Sequence, residues 1–302
     1  MVTLVTGGTG FVGRSIVREL RARGHQVRLL ARDVRSRRVI DFAAANTAEL
    51  REGNVADPSS LKDACKKVDC IVHLVGIISE AGRQTFESVH TEGTRNILTA
   101  AAGAGVRRFI HMSALGTRPN AVARYHKSKW AAEELVRASK LDWTIFRPSI
   151  IYGRDDGFVN LFARISRFSP VVPLIGNGEM RFAPIPVEAV AAAFASAPAN
   201  LSCVGQTFDL CAQEILTLEE VIDCILQVTR RRRLKIGMPL SLMRMQARLL
   251  EILFNLLGKA PPLNRDQLLM LQEDNVGNAQ PAMDQFGLEF PPFAEGIRRY
   301  LV

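Results

Sequence analysis

Three side chains in the first half of the chain have the types and spacing for joint proton chemistry. Tyr125 and Lys129 stand four residues apart at the start of a stretch, Lys127–Ser139, whose pattern predicts a helix, so both project from one helix face. Ser113 follows the apolar run Phe109–Met112, a predicted strand, and so lies at the C-terminal edge of a sheet. An ammonium beside a phenol favours the phenolate and lowers its pKa. Tyr125 is therefore expected to give or take a proton near neutral pH. Ser113 would hydrogen-bond a carbonyl or hydroxyl being reduced or oxidised, and Lys129 could also hold the ribose of a dinucleotide. His126, beside Tyr125, is either a further catalytic group or a residue facing solvent.

Such chemistry needs a hydride carrier, and residues 6–13, TGGTGFVG, provide for one. They follow the apolar run Val2–Val5 and precede the helical pattern Val12, Ile16, Val17, Leu20. In this strand–turn–helix setting Gly7 supplies a tight turn, Gly10 lets the backbone approach a pyrophosphate, and Gly13 lets the helix pack closely on the sheet. The N–H groups around Phe11 and Val12 then point at a phosphate from a helix N-terminus. The end of the second strand bears on which dinucleotide is held. Proteins preferring NAD place an acid there to bind the ribose 2′-hydroxyl, whereas here Val27–Leu30 is followed by Ala31 and Arg32. A guanidinium suits a phosphate by its bidentate geometry, and Arg14 is placed to assist. NADP(H) is the expected cofactor. NAD(H) is the alternative, with Arg32 stacked on adenine and Asp33 on the ribose.

These residues sit in a regular alternation. Strands are predicted at Val2–Val5, Val27–Leu30, Glu49–Gly53, Cys70–Val75, Phe109–Met112 and Trp143–Phe146, with helices notably at Ser60–Lys66, Thr91–Ala102 and Lys127–Ser139. This rhythm implies right-handed βαβ crossovers and an α/β Rossmann fold, a doubly wound parallel sheet with helices on both faces. After Gly153 prolines interrupt the rhythm. A helix is predicted at Val187–Ser196, a strand at Thr207–Leu210, and mostly helix from Thr217. The expected division is a dinucleotide domain, residues 1–165 with about 182–212, and a smaller, mostly helical lobe, about 166–181 with 213–302. The lobe would close over the C-terminal edge of the sheet.

One helix of that lobe is unusual. Between Leu240 and Leu257, Arg244, Arg248, Glu251 and Asn255 form a narrow polar stripe, and nearly everything else is Leu, Met, Ile or Phe. Burial within the lobe is the expectation; docking on a respiratory-complex partner or a membrane surface is the alternative.

Composition excludes several classes. The chain has 302 residues, 47% hydrophobic and 23% charged, with a net charge of +9. No run of about 18 uncharged apolar residues appears, so no transmembrane span is expected. The nucleotide strand begins at the first residues, so no signal peptide is expected, and the chain is placed in the cytoplasm or peripherally on the inner face of a membrane. Five scattered cysteines read as free thiols, with no metal pairing. The basic clusters Arg32–Arg38 and Arg230–Lys235 lack interleaved aromatics for base stacking, so nucleic acid is not an expected partner. The oligomeric state is not legible.

The chain resembles the extended and atypical short-chain dehydrogenase/reductases over essentially its whole length. The residues that carry this are TGGTGFVG, GNVADPSSL from Gly53, HLVGI from His73, VHTEGTRNIL from Val89, HMSALG from His111, YHKSK from Tyr125 and WTIFRPSIIYG from Trp143. RFAPIPVEAVAAAF from Arg181 and PPLNRDQLLMLQEDNV from Pro261 are similar to a narrower branch, which holds the nucleotide-binding accessory subunit of respiratory complex I and its bacterial relatives. The resemblance implies that Ser113, Tyr125 and Lys129 are the catalytic triad. It implies that Gly7, Gly10 and Gly13 contact the pyrophosphate, and that Asn54 and Val55 contact adenine, although Asp is commoner where Asn54 stands. Leu74, Val75 and Gly76 match the turn under the cofactor, without the usual Asn-Ala-Ala-Gly wording. Pro148 to Ile151, with Ile150 between, match the segment near the nicotinamide. Arg181 matches a substrate-nucleotide contact of sugar-modifying relatives; a plain salt bridge is the alternative.

Two function classes follow. One is an NADP(H)-binding protein of the complex I accessory-subunit type, an oxidoreductase on a small lipophilic or quinone-like molecule. The other is a soluble nucleotide-sugar epimerase, dehydratase or reductase. A third reading, a catalytically silent sensor or assembly factor, keeps the fold and drops the chemistry.

Overall fold

A computed structural model describes residues 1–301, with the side chain of Asn255 outside the described set. The first half runs β1 (Val2–Thr6), α1 (Phe11–Ala22), β2 (Gln26–Ala31), α2 (Arg37–Ala45), β3 (Glu49–Glu52), β4 (Cys70–His73), α3 (Glu92–Gly103), β5 (Arg108–Met112), α4 (Arg124–Ala138) and β6 (Asp142–Pro148). It continues through β7 (Ile151–Tyr152), α5 (Val159–Phe168), β8 (Val171–Ile175), β9 (Arg181–Phe182), β10 (Ile185–Pro186), α6 (Val187–Ser196) and β11 (Gln206–Leu210). The remainder is β12 (Leu216–Thr217), α7 (Leu218–Val228), β13 (Leu234–Met238), α8 (Leu240–Leu256), α9 (Arg265–Met270), α10 (Gln280–Phe286) and α11 (Phe293–Leu301).

Seven strands form one sheet in the order β11-β6-β5-β4-β1-β2-β3, and every pairing in it is parallel. Helices cover both faces, so the inner strands read as continuous apolar runs: Leu4, Val5, Ile71, Val72, Phe109 and Ile110 are all buried. The chain winds outward from β1 to β3, then crosses to β4 on the other side of β1. That reversal opens a crevice at the C-terminal strand ends, where ligands of such sheets bind.

All six predicted strands of the first half and β11 are present. The predicted helix Ser60–Lys66 is not. One 3-10 turn, Pro58–Ser60, stands there, followed by turns. Leu61, Ala64 and Cys65 are buried at helical spacing, but Asp57 accepts the N–H of Ser59 and Lys67 takes a positive φ of 55°, so the backbone is held in turns. The helix that carries Tyr125 and Lys129 also starts earlier than its periodicity suggests, at Arg124.

A second apolar cluster joins α5, β8, α7 and α11 through Phe162, Leu174, Ile222 and Ile297. We therefore propose the two-lobe division with α5 assigned to the small lobe. The C-terminal segment around α10 returns to the sheet, where Ala282 and Leu288 join the main core. Helix α8 departs from the expectation of burial. Only Met243 and Ala247 are buried, whereas Met245, Leu249, Ile252, Leu253 and Leu256 are more than half exposed. α8 gives Met243 and Ala247 to the small-lobe core and otherwise lies on its outside. No described helix is long and apolar enough to cross a membrane.

Candidate active site

The glycine loop has the shape of a phosphate cradle. Gly7 takes φ +75°, and a Cβ there would lie 3.1 Å from the carbonyl carbon of Leu74 and 3.2 Å from the nitrogen of Val75. The turn at Leu74, Val75 and Gly76 thus runs directly against the loop. A Cβ at Gly13 would collide with the Gly7 carbonyl oxygen and reach 2.7 Å from Gly8 Cα. At Gly10 a Cβ would meet only that carbonyl oxygen, at 3.4 Å, so space stays open in front of the loop. Gly10 is the N-cap of α1 and no acid stands in the first turn, so the helix end stays positive. The residues fit a bound pyrophosphate.

A cleft of about 510 Å³ opens beside this loop, lined by Thr9, Gly10, Phe11, Arg14, Arg38 and Arg154. Arg14 lines this cleft and pairs with Asp155 at 2.6 Å. Arg32 is exposed at the end of β2 and has no carboxylate partner among the described residues. Asp33 accepts the N–H groups of Arg35 and Ser36 with one oxygen and so serves the turn into α2. Arg38, in the first turn of α2, is a candidate that was missed; its only signal was the Arg32–Arg38 cluster. Asn54 is exposed just past β3 and its Oδ1 accepts the N–H of Ala56. Val55 is buried and its carbonyl holds Asn96, which fixes that turn to α3.

Ser113 follows β5 and is buried. Its N–H donates to the Phe146 carbonyl at 2.7 Å. Lys129 is buried on α4 and donates to the Met112 carbonyl at 3.0 Å, one residue before Ser113. A Cβ at Gly76 would lie 3.1 Å from Lys129 Nζ. The fold thus gathers the Ser113 strand end, the Lys129 ammonium and the Gly76 turn at one sheet edge. Pro148 and Ile150 border the same edge, since Leu115 donates to the Pro148 carbonyl and Ile185 to that of Ile150. Ile151 begins β7.

Tyr125 lies in the first turn of α4, edge-on to the rings of Phe86, His90 and His126. Its phenol does not behave as its spacing from Lys129 suggests. Burial pushes the pKa up to about 12, while the ammonium is turned to the Met112 carbonyl. Tyr125 is therefore a neutral acid at ordinary pH, which corrects the expectation of a readily formed phenolate. Burial also lowers Lys129, to about 8, partly opposed by Glu133. His126 does not face solvent either. It is buried under the Gly116 turn, where a Cβ would meet its ring at 3.1 Å, and its Nδ1 has no partner among the described residues.

Several supporting residues were not found as site residues. Asp266, at the start of α9, accepts the N–H groups of Arg124 and Tyr125 at 2.7 and 2.9 Å. It caps α4 from a distance, which is why the helix begins before Tyr125 with Ala123 as a capless N-cap. His90 accepts the Ile77 N–H at 3.0 Å and bonds Ser128 through Nδ1 at 2.8 Å, tying the Gly76 turn to α4. Burial first, then the charge of Lys129, holds its pKa near 2, so it acts as a neutral linker. Asn275 receives the Ser149 hydroxyl at 2.6 Å and reaches the Leu115 carbonyl. His90, Asp266 and Asn275 all lie in segments quoted above for their resemblance. Arg181 is committed to Asp274 through two nitrogens, at 2.9 and 2.6 Å. This is the salt bridge of the alternative, an exposed pair. Among the described residues no group of three or more His, Cys, Asp or Glu is placed to hold a metal ion.

The buried ammonium makes a pH prediction. An unfolded lysine keeps its proton to about pH 10.4, whereas folded Lys129 releases it near 8. Between these values the unfolded chain binds more protons, so this residue's contribution to stability rises with pH. Relative to Lys129→Met, the wild type is expected to gain on the order of 3 kcal/mol between pH 8 and 10.5. Urea denaturation of both proteins across that window measures it; parallel curves would refute the buried ammonium.

The profile of a family described as NAD(P)H-binding matches residues 7–169. The chain is 27% identical over 295 residues to the mitochondrial NADH dehydrogenase (ubiquinone) 1 alpha subcomplex subunit 9 of Arabidopsis thaliana, covering 96% of this chain and 73% of that one. It is 36% identical over 195 residues to a ceramide reductase of Caulobacter vibrioides, covering 63% of this chain and 59% of that protein. In fold it is similar to the Citrobacter sp. triphenylmethane reductase solved with NADP(H), with a TM-score of 0.78, 17% identity and 99% of each chain covered. With the cradle, the strand order and this match across more than half its length, the chain belongs to the NAD(P)H-binding family.

Proposed function

We propose that the chain is an NADP(H)-dependent oxidoreductase of the complex I accessory-subunit type, which reduces a lipophilic carbonyl or quinone-like substrate. The observation that carries this is the convergence of the phosphate cradle, Ser113, Lys129 and the Tyr125 helix on one sheet edge. The relatives bearing respiratory-subunit and ceramide-reductase names support it. When bound, the cofactor supplies a hydride. The Ser113 hydroxyl holds the substrate oxygen, and Tyr125, neutral with a pKa of about 12, gives that oxygen its proton. Lys129 fixes the strand end through Met112 and is positioned for the ribose. Gly7, Gly10, Phe11, Val12 and Gly13 would hold the pyrophosphate, and Arg32 with Arg38 a 2′-phosphate.

The nucleotide-sugar alternative needs cations for a diphosphate. Arg118, Arg124 and Arg181 are each paired inside the chain, to Glu273, Glu80 and Asp274.

Two measurements test the reading. Arg32→Ala is expected to weaken NADPH at least tenfold and NADH little; equal or tighter binding of NADH by the wild type would sink the NADP preference. Oxidation of NADPH by a short-chain quinone, followed by absorbance, is expected to fall about a hundredfold or more in Tyr125→Phe. Turnover of a nucleotide-sugar instead would reverse the ordering. Unchanged quinone turnover in Tyr125→Phe would remove the acid. The respiratory partner is tested by copurification; recovery without any respiratory subunit would count against it.

A further inference from the structure

Helix α8 presents three different faces. Met243 and Ala247 are buried in the small-lobe core. Arg244 and Arg248 form an exposed basic edge. The third face carries Leu242, Met245, Leu249, Ile252, Leu253 and Leu256, spaced three or four apart and all exposed, Leu249 at 61% and Leu256 at 82%. Over 17 residues the helix is about 25 Å long, and among its described side chains no hydrogen-bonding group interrupts this face. A contiguous apolar strip of that length, left in water, marks an interaction surface.

The charges around the strip indicate its occupant. Glu251 is the one acid in the helix, and it is spent on Arg265, at 2.8 Å. Among the described residues Arg244 bonds the neutral Gln272 and no carboxylate. Among the described residues Arg248 and Lys259 have no carboxylate partner. A separate spot on the same lobe repeats the combination. Phe168 and Leu234 are 78% and 69% exposed, and they are held near each other by the Leu234 N–H on the Pro170 carbonyl. Arg164 and Arg167 precede Phe168 in the chain and Arg230 and Arg232 precede Leu234, all exposed and without a carboxylate partner among the described residues. The Arg167 guanidinium lies 5.5 Å from the Phe168 ring centre.

We propose that α8 seats this protein on a lipid bilayer rich in anionic headgroups. The apolar strip enters the acyl boundary, and Arg244, Arg248 and Lys259 meet lipid phosphates. A second copy of the chain fits less well, because it would bring the same arginines and another net charge of +9 against them. The seat is independent of whether the cofactor turns over, and it would place a lipophilic substrate beside the lobe.

Sedimentation with vesicles tests this, using phosphatidylcholine alone or mixed with phosphatidylglycerol. The wild type is expected to bind the mixed vesicles, and to bind neutral ones at least tenfold less. The double variant Leu249→Glu/Leu253→Glu is expected to lose vesicle binding at least tenfold while keeping its melting temperature and NADPH affinity, since both side chains are exposed. Arg248→Glu is expected to weaken binding to the anionic vesicles alone. Wild type that stays in solution with anionic vesicles at low salt would overturn the proposal, as would a double variant that still binds. A dimer by light scattering that the double variant abolishes, without vesicle binding, would assign the strip to a second copy instead.

Discussion

Alanine at Gly13 is expected to lower NADPH affinity at least a hundredfold and to lower the melting temperature as well. The added methyl would collide with the Gly7 carbonyl oxygen and approach Gly8 Cα to 2.7 Å. Both are backbone, in a turn tied to β1 and to Leu74, so the loop yields only by pulling α1 off the sheet. Overpacking of this kind costs about 1–3 kcal/mol, and a hundredfold in Kd is about 2.7 kcal/mol. Alanine at Gly10 separates the two effects. Gly10 has φ −74°, and its Cβ would meet only the Gly7 oxygen, at 3.4 Å, so the fold accepts it. The methyl would nonetheless stand where the pyrophosphate must approach. Gly10→Ala is therefore expected to lose affinity at an unchanged melting temperature. Fluorescence titration with NADPH, beside thermal melts, checks both; wild-type affinity in Gly10→Ala would mean that this loop is not the cradle.

Glu133→Ala is expected to destabilise the chain by about 3 kcal/mol. Glu133 is fully buried one turn beyond Lys129. Arg147 of β6 grips its carboxylate with two nitrogens, at 2.8 and 2.6 Å, and Arg137 adds a third contact. Trp130 lies beneath both guanidiniums. Without the carboxylate, two arginines face each other with no counter-charge. Both keep some exposure, 21% for Arg147 and 27% for Arg137, so partial rehydration keeps the loss at the low end for a broken buried pair. The exposed pair Arg37–Asp41 is the control, where Asp41→Ala is expected to change stability by less than about 0.5 kcal/mol. Urea midpoints compare the two; a Glu133→Ala shift no larger than the control's would refute the anchoring of α4 by this carboxylate.

The dinucleotide half was legible because its signals are local. A strand buried on both faces writes a short apolar run, and a phosphate cradle writes glycines at fixed spacing. The small lobe was harder to read. β8 and β13 pair across more than fifty residues; β8, VVPLI, carries no alternation, and β13, LKIGM, alternates but leaves Leu234 and Ile236 exposed. The missed supports share that cause: the cap of α4 comes from Asp266, 142 residues beyond Arg124.

The sequence by itself determined the parallel α/β fold, the glycine cradle, and that Ser113, Tyr125 and Lys129 belong to the same end of the sheet. Each follows from residue type and short spacing, which act through local backbone geometry. Only the tertiary structure decided what those side chains meet. It turned the Lys129 ammonium to Met112, raised the Tyr125 phenol by burial, paired Arg14 with Asp155 and Arg181 with Asp274, and left the apolar strip of α8 exposed. Protonation, pairing and exposure depend on which distant elements pack against a group, and periodicity specifies a face without specifying what covers it.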